Sequence, residues 1–435
     1  MPVLTVPGAC AQPVLLKGRV QVLDSQLNCR TVFDSRNEPG GVLRVACKTR
    51  RASRCPSCAD TYRRDAFQLI RAGLAGGKSV PETVRDHPRV FVTLTAPSFG
   101  TVHTQRTSPS GRALPCHPRR GAEPCPHGRS MSCTARHSDD DHRLGQPLCP
   151  ACYDYTGAVL FNAHAPEMWR RFTVSVRRQL AHRAGLTAGQ FATQVRVSFA
   201  KVAEFQNRGV VHLHAVIRLD AAGESTSPPP AWATVDLLTE AIEDTARLVT
   251  VHTPPAEGLP SRTLRWGGQL DIRPIHGQPL ADGDLTEQAL AGYIAKYATK
   301  AAESTVGDLD RRVNGPHDPA LTGITAHARR MIETCWELGN RPELEPLRLH
   351  AWAHMLGFRG HFATKSRRYS VTLGALRQAR ATHQTTRTLD NPPNPDDDVT
   401  TLVVTHWRYA GRAPRLRDLV TFSPVHDPPN PEERE

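Results

Sequence analysis

The stretch Glu204-Phe-Gln-Asn-Arg-Gly-Val-Val-His212-Leu-His214-Ala-Val-Ile217 governs how this chain folds and what it can do. On a strand, residues two apart share a face. His212 and His214 therefore point one way, while Val211, Leu213, Ala215 and Ile217 point the other way, toward a core. Asn207-Arg208-Gly209 carries hairpin-turn chemistry, and a hairpin centred on Arg208 sets Glu204 opposite His212. Two imidazoles and a carboxylate on one face suit a single divalent cation with positions left open for a substrate oxygen. A bare His-x-His pattern more often marks a solvated strand face. The alternation, the turn and Glu204 together favour the metal site.

Working outward, Asp284-Leu-Thr-Glu287 resembles a capping box and opens a helix expected over 284–303. Within it, Tyr293-Ile-Ala-Lys296-Tyr297-Ala-Thr-Lys300 puts Tyr293 and Tyr297 on one face and Lys296 and Lys300 on the adjacent one. A phenol, with a pKa of about 10, is a poor nucleophile at neutral pH. A nearby metal and ammonium groups stabilise its oxyanion and offset phosphate charge. Tyr-x-x-x-Tyr alone reads as a packed helix face; the metal motif upstream changes that reading.

Around these motifs, Arg89 to Pro97 is β-branched and stopped by proline, so it reads as a strand. A helix is expected from Ala165 to His182, with Met168, Trp169, Phe172, Val176 and Leu180 at helical spacing. Strands are expected over Gln194–Phe205, Val210–Leu219 and Leu264–Ile275, and a helix over Trp232–Val249. Beyond Thr305 the chain reads as mostly helical. Asp390 to Asp398 reads as a linker, and Thr401 to Phe422 as a small terminal element. Interleaved strands and helices give an α+β class with an antiparallel sheet and flanking helices.

The 435 residues include 55 Lys and Arg against 42 Asp and Glu, a formal charge of +13 that favours a polyanionic partner such as nucleic acid. No apolar run reaches the ~20 residues of a membrane helix, and Met1 to Gln12 lacks the layout of a signal peptide. A cytoplasmic protein without a membrane partner is expected, its 11 cysteines reduced. Their clustering points to structural zinc in an N-terminal region and in an irregular insert over 98–155. Cys47, Cys55 and Cys58 need a fourth ligand, from Cys10 or Cys29. The insert offers Cys116, Cys125, His127, Cys133, His137, Cys149 and Cys152. Cys125, Cys133, Cys149 and Cys152 are the expected set, with His127 and His137 as substitutes. Cys335, on an apolar helix, reads as core.

Arg44 to Arg71 holds eight Arg and Lys. Arg359 to Arg380 holds six and no acid, with Phe358, Phe362 and Tyr369 interleaved, a pattern that can grip phosphates and stack bases. Arg208, Arg359, Lys365, Arg367 and Arg368 are the candidate DNA contacts. Ala72-Gly-Leu-Ala-Gly-Gly-Lys78-Ser79 fits a relaxed phosphate-loop pattern, but it follows a helix and runs into Val80-Pro81, so nucleotide binding is not expected there.

His212-Leu-His214 followed by paired Tyr-x-x-Lys units resembles the HUH endonuclease superfamily. The tandem tyrosines and Phe91-Val-Thr-Leu-Thr95 are similar to two-tyrosine rolling-circle initiators. The ordered set Cys55-Pro-Ser-Cys58, Gly209-Val-Val-His-Leu-His-Ala-Val-Ile-Arg218, Gly292 to Lys300 and His361 to Tyr369 resembles replication initiators of actinobacterial plasmids and integrative elements, over roughly Cys10 to Leu376. The resemblance implies an HUH-type sheet and an origin nickase using Mg²⁺ or Mn²⁺ at His212, His214 and Glu204. One tyrosine forms a 5′-phosphotyrosine link, the freed 3′-OH primes synthesis, and a second tyrosine acts at termination; which of Tyr293 and Tyr297 opens the cycle is not readable. It also implies double- and single-stranded origin DNA, a host helicase and a polymerase as partners, one or two zinc ions, and Cys10 as the fourth ligand. The implied organisation is a basic Cys-rich region over 1–84, a nuclease core over 85–305 with the insert, a basic helical DNA-binding region over 306–389, and a linker with a small element over 390–435. The alternatives are an HUH transposase or relaxase, though a relaxase more often places its tyrosine before the histidines, and a non-catalytic zinc-containing regulator.

Overall fold

The computed structural model describes residues 10–23, 28–121, 123–223, 227–275, 287–299, 312–388 and 402–413. In chain order these form β1 (Val14–Leu23), β2 (Cys29–Asp34), β3 (Leu43–Val45), α1 (Pro56–Ala75) and β4 (Arg89–Leu94). A short hairpin of β5 (Arg106–Thr107) and β6 (Ala113–Leu114) lies in the insert. Then come α2 (Tyr155–Arg183), α3 (Ala188–Gln194), β7 (Val195–Phe205), β8 (Val211–Ala221), α4 (Val235–Leu248), β9 (Thr250–His252) and β10 (Thr263–Arg265). β11 (Leu270–Pro274), α5 (Glu287–Thr299), α6 (Ala326–Gly339), α7 (Leu349–Trp352), β12 (Ala363–Lys365), α8 (Leu373–Thr388) and β13 (Leu402–Arg412) complete the order.

The chain divides into two compact units, 1–63 with 374–435, and 64–373. In the first, β1 pairs antiparallel with β2, β3 and β13. The expected terminal element is thus a strand of the same sheet as the N-terminal region, because β13 completes the β1 ladder. A pairing across nearly the whole chain leaves no local trace in sequence.

The second unit is built on a five-stranded antiparallel sheet in the order β11-β4-β8-β7-β12. Strict alternation divides β8 between two faces. Val211, Leu213, Ala215, Ile217 and Leu219 join the main core with Val90, Val92 and Leu94 of β4, the apolar stripe of α2, and Leu238, Ala241 and Ile242 of α4. Trp169 of α2 meets the Phe199 ring of β7 edge-on, at 5.2 Å. His212, His214 and Arg218 lie on the opposite face.

α2 starts ten residues before the expected Ala165. Its early part is buried on all sides, so it shows no amphipathic period, and Pro166 mimics a helix start. The true N-cap is Asp154, whose Oδ1 accepts from the Gly157 amide at 2.9 Å. The expected strand over 264–275 is two short strands, β10 and β11, each paired with a different neighbour. Residues 340–372 hold short helical turns more than long helices. Gly77 and Val80 close a tight turn, with Lys78 and Ser79 both at positive φ, in place of a phosphate loop. Phe358, Phe362 and Tyr369, expected to stack bases, are buried instead, because Phe358 and Phe362 pack on Phe205 of β7 and Tyr369 covers Gly73.

The β7–β8 hairpin is held from outside. Asn162 of α2, fully buried, donates Nδ2 to the Gly209 and Leu356 carbonyls, each at 2.9 Å, and its Oδ1 accepts from the Val211 amide at 2.9 Å. Asn162→Ala leaves these backbone groups unpaired in the interior. A loss of roughly 2–4 kcal/mol is expected, measured by urea denaturation; a loss within about 0.5 kcal/mol would show that the turn needs no clamp.

At the far end of β8, Asp220 accepts from His87 Nδ1 at 2.9 Å, Arg218 Nε at 2.6 Å and Ser198 Oγ at 2.5 Å. Burial alone raises the Asp220 pKa, but these hydrogen bonds outweigh it and hold the carboxyl at about 2. The folded value lies below the ordinary value of 3.8, so the network stabilises the fold above about pH 4 and loses that contribution between about pH 4 and 2. Asp220→Asn is therefore expected to be less stable at pH 7 and to lose less stability than wild type over that acid window, as followed by urea titration at several pH values.

Candidate metal and nucleophile site

The hairpin register pairs Glu204 directly with His212, and β4–β8 pairs Thr93 with His214. Glu204 Oε2 lies 2.9 Å from His212 Nε2 and 3.3 Å from His214 Nε2, and the two Nε2 atoms are 3.2 Å apart. These separations fit adjacent positions of an octahedral shell, whose edges are about 3 Å at metal–ligand distances near 2.1 Å. His214 Nδ1 is 3.0 Å from Thr93 Oγ1. The tautomer that donates Nδ1–H to Thr93 leaves the Nε2 lone pair facing Glu204 and His212, the orientation a metal ligand needs. Burial lowers the His214 pKa, against the opposing pull of Glu204, and so disfavours the charged imidazolium. The Phe91 ring lies parallel to it at 5.8 Å.

α5 brings the tyrosine. Leu290, Ala291, Ile294 and Ala295 are its buried stripe. Tyr293, 37 % exposed, places its hydroxyl 3.2 Å from His214 Nε2, with its ring edge-on to Phe91. Lys296 lies on the exposed side of the same helix. Tyr297 is one turn further along the helix, but its side chain, Lys300, and Asp284 to Thr286 of the capping box lie outside the described residues. The start of α5 is tied to the sheet by Arg89, fully buried, whose Nη2 is 2.5 Å from Glu287 Oε1. Arg89 and Glu287 carry no signal in the sequence that ties them to this site. Phe91 and Thr93 fall in the Phe91-Val-Thr-Leu-Thr95 run, and their two-residue spacing puts both on the histidine face.

Three further groups of Cys and His side chains converge among the described residues. Cys10, Cys47, Cys55 and Cys58 form one, as expected with Cys10 in fourth place; Cys29 is exposed and apart from it. Cys10 Sγ lies 3.7 Å from Cys58 Sγ and 4.0 Å from Cys55 Sγ, close to the edge of about 3.8 Å that four Zn–S bonds of about 2.3 Å define. Cys125, Cys149 and Cys152 come together with His127, whose Nδ1 is 3.2 Å from Cys152 Sγ and 3.8 Å from Cys149 Sγ. Cys133 does not join them. It pairs in a β-bridge with His117, which carries it into a separate group with His103, Cys116 and His137. Each of these groups has the donor set of a closed metal site.

The candidate DNA contacts separate by what their side chains touch. The Arg208 guanidinium donates to the Pro97 carbonyl at 2.7 Å, the Ala96 carbonyl at 2.9 Å and Gln206 Oε1 at 2.8 Å, so it clamps the hairpin turn to the end of β4. Lys365 Nζ donates to the Ser370 carbonyl at 2.6 Å, and burial lowers its pKa. Arg359, Arg367 and Arg368 are exposed. Cys335 is fully buried on α6. No helix among the described residues is long and apolar enough to cross a membrane.

A family model described as the replication initiator protein of pSAM2 matches residues 4–419. A replication initiator protein from Streptomyces ambofaciens is 50 % identical over 416 residues, covering 93 % of this chain and 84 % of the relative. No solved structure matches the chain. A match over almost the whole length, through both units and every Cys and His group above, places the chain in the RepSA family of replication initiator proteins.

Proposed function

We propose that this chain is an HUH-type origin nickase that starts rolling-circle replication. The observation that carries the reading is the Tyr293 hydroxyl, 3.2 Å from the same His214 nitrogen that faces His212 and Glu204. A divalent cation, Mg²⁺ or Mn²⁺, held by Glu204, His212 and His214 would polarise the scissile phosphate. Tyr293 supplies the attacking oxygen; its bond to phosphorus forms as the bond to the 3′-oxygen breaks. The phenol gives up its proton and the departing 3′-oxygen takes one up, so the products are a 5′-phosphotyrosine link and a 3′-OH that primes a host polymerase. Tyr297 is assigned the second transfer, at termination, and Lys296 and Lys300 the offsetting of phosphate charge. Arg359, Arg367 and Arg368 are assigned to the DNA backbone, and a host helicase to unwinding of the duplex. The Cys10 and Cys125 groups are assigned structural zinc. The setting is the cytoplasm, on a plasmid or an integrative element.

The direct test is nicking of supercoiled DNA carrying the cognate origin with Mn²⁺ or Mg²⁺. Wild type is expected to nick and to leave a covalent protein–DNA adduct. His212→Ala and the Tyr293→Phe, Tyr297→Phe double variant should lose at least about 100-fold in rate, an order of magnitude for removing a nucleophile or an electrostatic stabiliser. The single tyrosine variants assign the opening nucleophile. Origin binding without a nick or an adduct under either metal would leave a non-catalytic regulator.

Thr93 tests the metal arrangement separately. Thr93→Val removes the partner of His214 Nδ1 and keeps the shape of the side chain. Mn²⁺ affinity, read by calorimetry, is expected to fall about 10- to 100-fold. Unchanged affinity would mean that Thr93 does not orient the ligand.

A further inference from the structure

We infer that His103, Cys116, Cys133 and His137 form a third, Cys2His2 zinc site, which fixes the part of the insert that packs on the turn of the β7–β8 hairpin. The four donor atoms lie within 4.8 Å of one another. Tetrahedral zinc with Zn–N near 2.0 Å and Zn–S near 2.3 Å requires about 3.3 Å between nitrogens and about 3.6 Å between nitrogen and sulfur. The structure has 3.2 Å from His103 Nδ1 to His137 Nε2, 3.6 Å from Cys133 Sγ to His137 Nε2, and 3.9 Å from Cys116 Sγ to His103 Nδ1.

The surroundings prepare these atoms as ligands. Asp141 Oδ2 accepts from His137 Nδ1–H at 2.7 Å, which leaves the Nε2 lone pair directed into the group. Arg143 in turn holds that carboxylate, with Nη2 2.8 Å from Oδ2 and Nε 3.1 Å from Oδ1. A carboxylate behind a histidine in this way is the usual partner of an imidazole that binds a metal. The Thr104 amide donates to Cys116 Sγ at 3.2 Å, as amides do to thiolates. Cys116 and His137 are buried, and all four coordination positions are filled by protein, so the site is closed to substrate.

Its position shows what it holds. The His103 backbone bonds to residues 145 and 146, its carbonyl accepting from the Gly145 amide at 2.9 Å and its amide donating to the Gln146 carbonyl at 2.9 Å. Gly145, at φ +81°, lies so close to Asn207 that an added Cβ would sit 2.1 Å from the Asn207 carbonyl carbon. The strands described in this stretch are two residues long, too few to fix it unaided. Zinc at His103 therefore anchors the segment around Gly145 that packs on the turn setting Glu204 opposite His212.

The test is zinc content of the untagged full-length chain by mass spectrometry, after dialysis against EDTA to strip the open Glu204 site. Wild type is expected to keep one zinc more than the folded Cys116→Ser, Cys133→Ser double variant, while the Cys125→Ser, Cys149→Ser variant loses its own zinc independently. Equal zinc in wild type and the folded Cys116, Cys133 variant overturns the site, whatever the Cys125 variant shows. Should the variant not fold, zinc X-ray absorption on wild type decides. With three sites the average is one imidazole per zinc, whereas the Cys10 and Cys125 groups alone give one half; the lower value overturns the proposal. Neither readout depends on nicking.

Discussion

The pairing of Glu204 with His212 is the constraint on which the rest of the site depends. A strand slipped by one residue turns all its side chains to the opposite face, so a shift at Asn207 to Gly209 would send either the carboxylate or the imidazoles into the apolar core. The hydrophobic alternation of β8 sets the register in outline, and the turn is then clamped from several directions. Asn162 holds the Gly209 carbonyl and the Val211 amide. His327 Nε2 donates to the Arg208 carbonyl at 3.0 Å and the Tyr153 hydroxyl donates to it at 3.3 Å. The Arg208 guanidinium reaches across to the end of β4. Four separate parts of the chain thus fix one two-strand register.

The polar face of β8 carries a second demand. Arg89 and Arg218 are register partners on adjacent strands, and both are buried. Two like charges side by side in the interior would be strongly unfavourable without compensation. Glu287 neutralises one and Asp220 the other. Each guanidinium also donates to a carbonyl in the last turn of α1, Arg89 to Leu74 and Arg218 to Gly73, where the helix dipole favours a cation. The arrangement binds the end of α1 to the sheet and, through Glu287, sets the start of the helix that bears Tyr293. Arg89 acts on the site by positioning that helix.

What was legible in the sequence follows from range. The two-residue period of β8 and the Asn-Arg-Gly turn are local, so the residues alone bring Glu204, His212 and His214 together. The i, i+4 tyrosines are local too, and the face Tyr293 occupies agrees with the helical spacing. Cys55-Pro-Ser-Cys58 and Cys149-Pro-Ala-Cys152 mark halves of sites for the same reason. The partition of Cys125 and Cys133 was not legible, because it depends on a bridge from Cys133 to His117 and on His103, which precedes the first cysteine of the insert. The basic run over 359–380 misleads about its aromatics for a similar reason: charge density is visible in sequence, whereas Phe205 of β7 and Gly73, against which Phe362 and Tyr369 pack, are not. Arg208 looked like a DNA contact because its partners, two carbonyls at the end of β4, have no sequence signature.

One strand face thus serves two opposite needs along its length. At Arg218 it is sealed beneath α1, and its charges are matched by Asp220 and Glu287. At Val216 it is apolar and buried. At His214 and His212 the cover thins, until Tyr293 stands partly open to solvent beside them. Among the described residues, that end is the exposed part of this face. Closing the far end is what holds the open end still, since the helix that supplies the hydroxyl is anchored at Glu287 in the sealed region and presents Tyr293 fewer than two turns later. A site placed directly in the sealed region would be rigid but inaccessible; one on a free helix would be accessible but imprecise. Placing His212 and His214 on the central strand beside Glu204 of β7, and the hydroxyl on a helix fixed at its buried end, meets both requirements with a single sheet face.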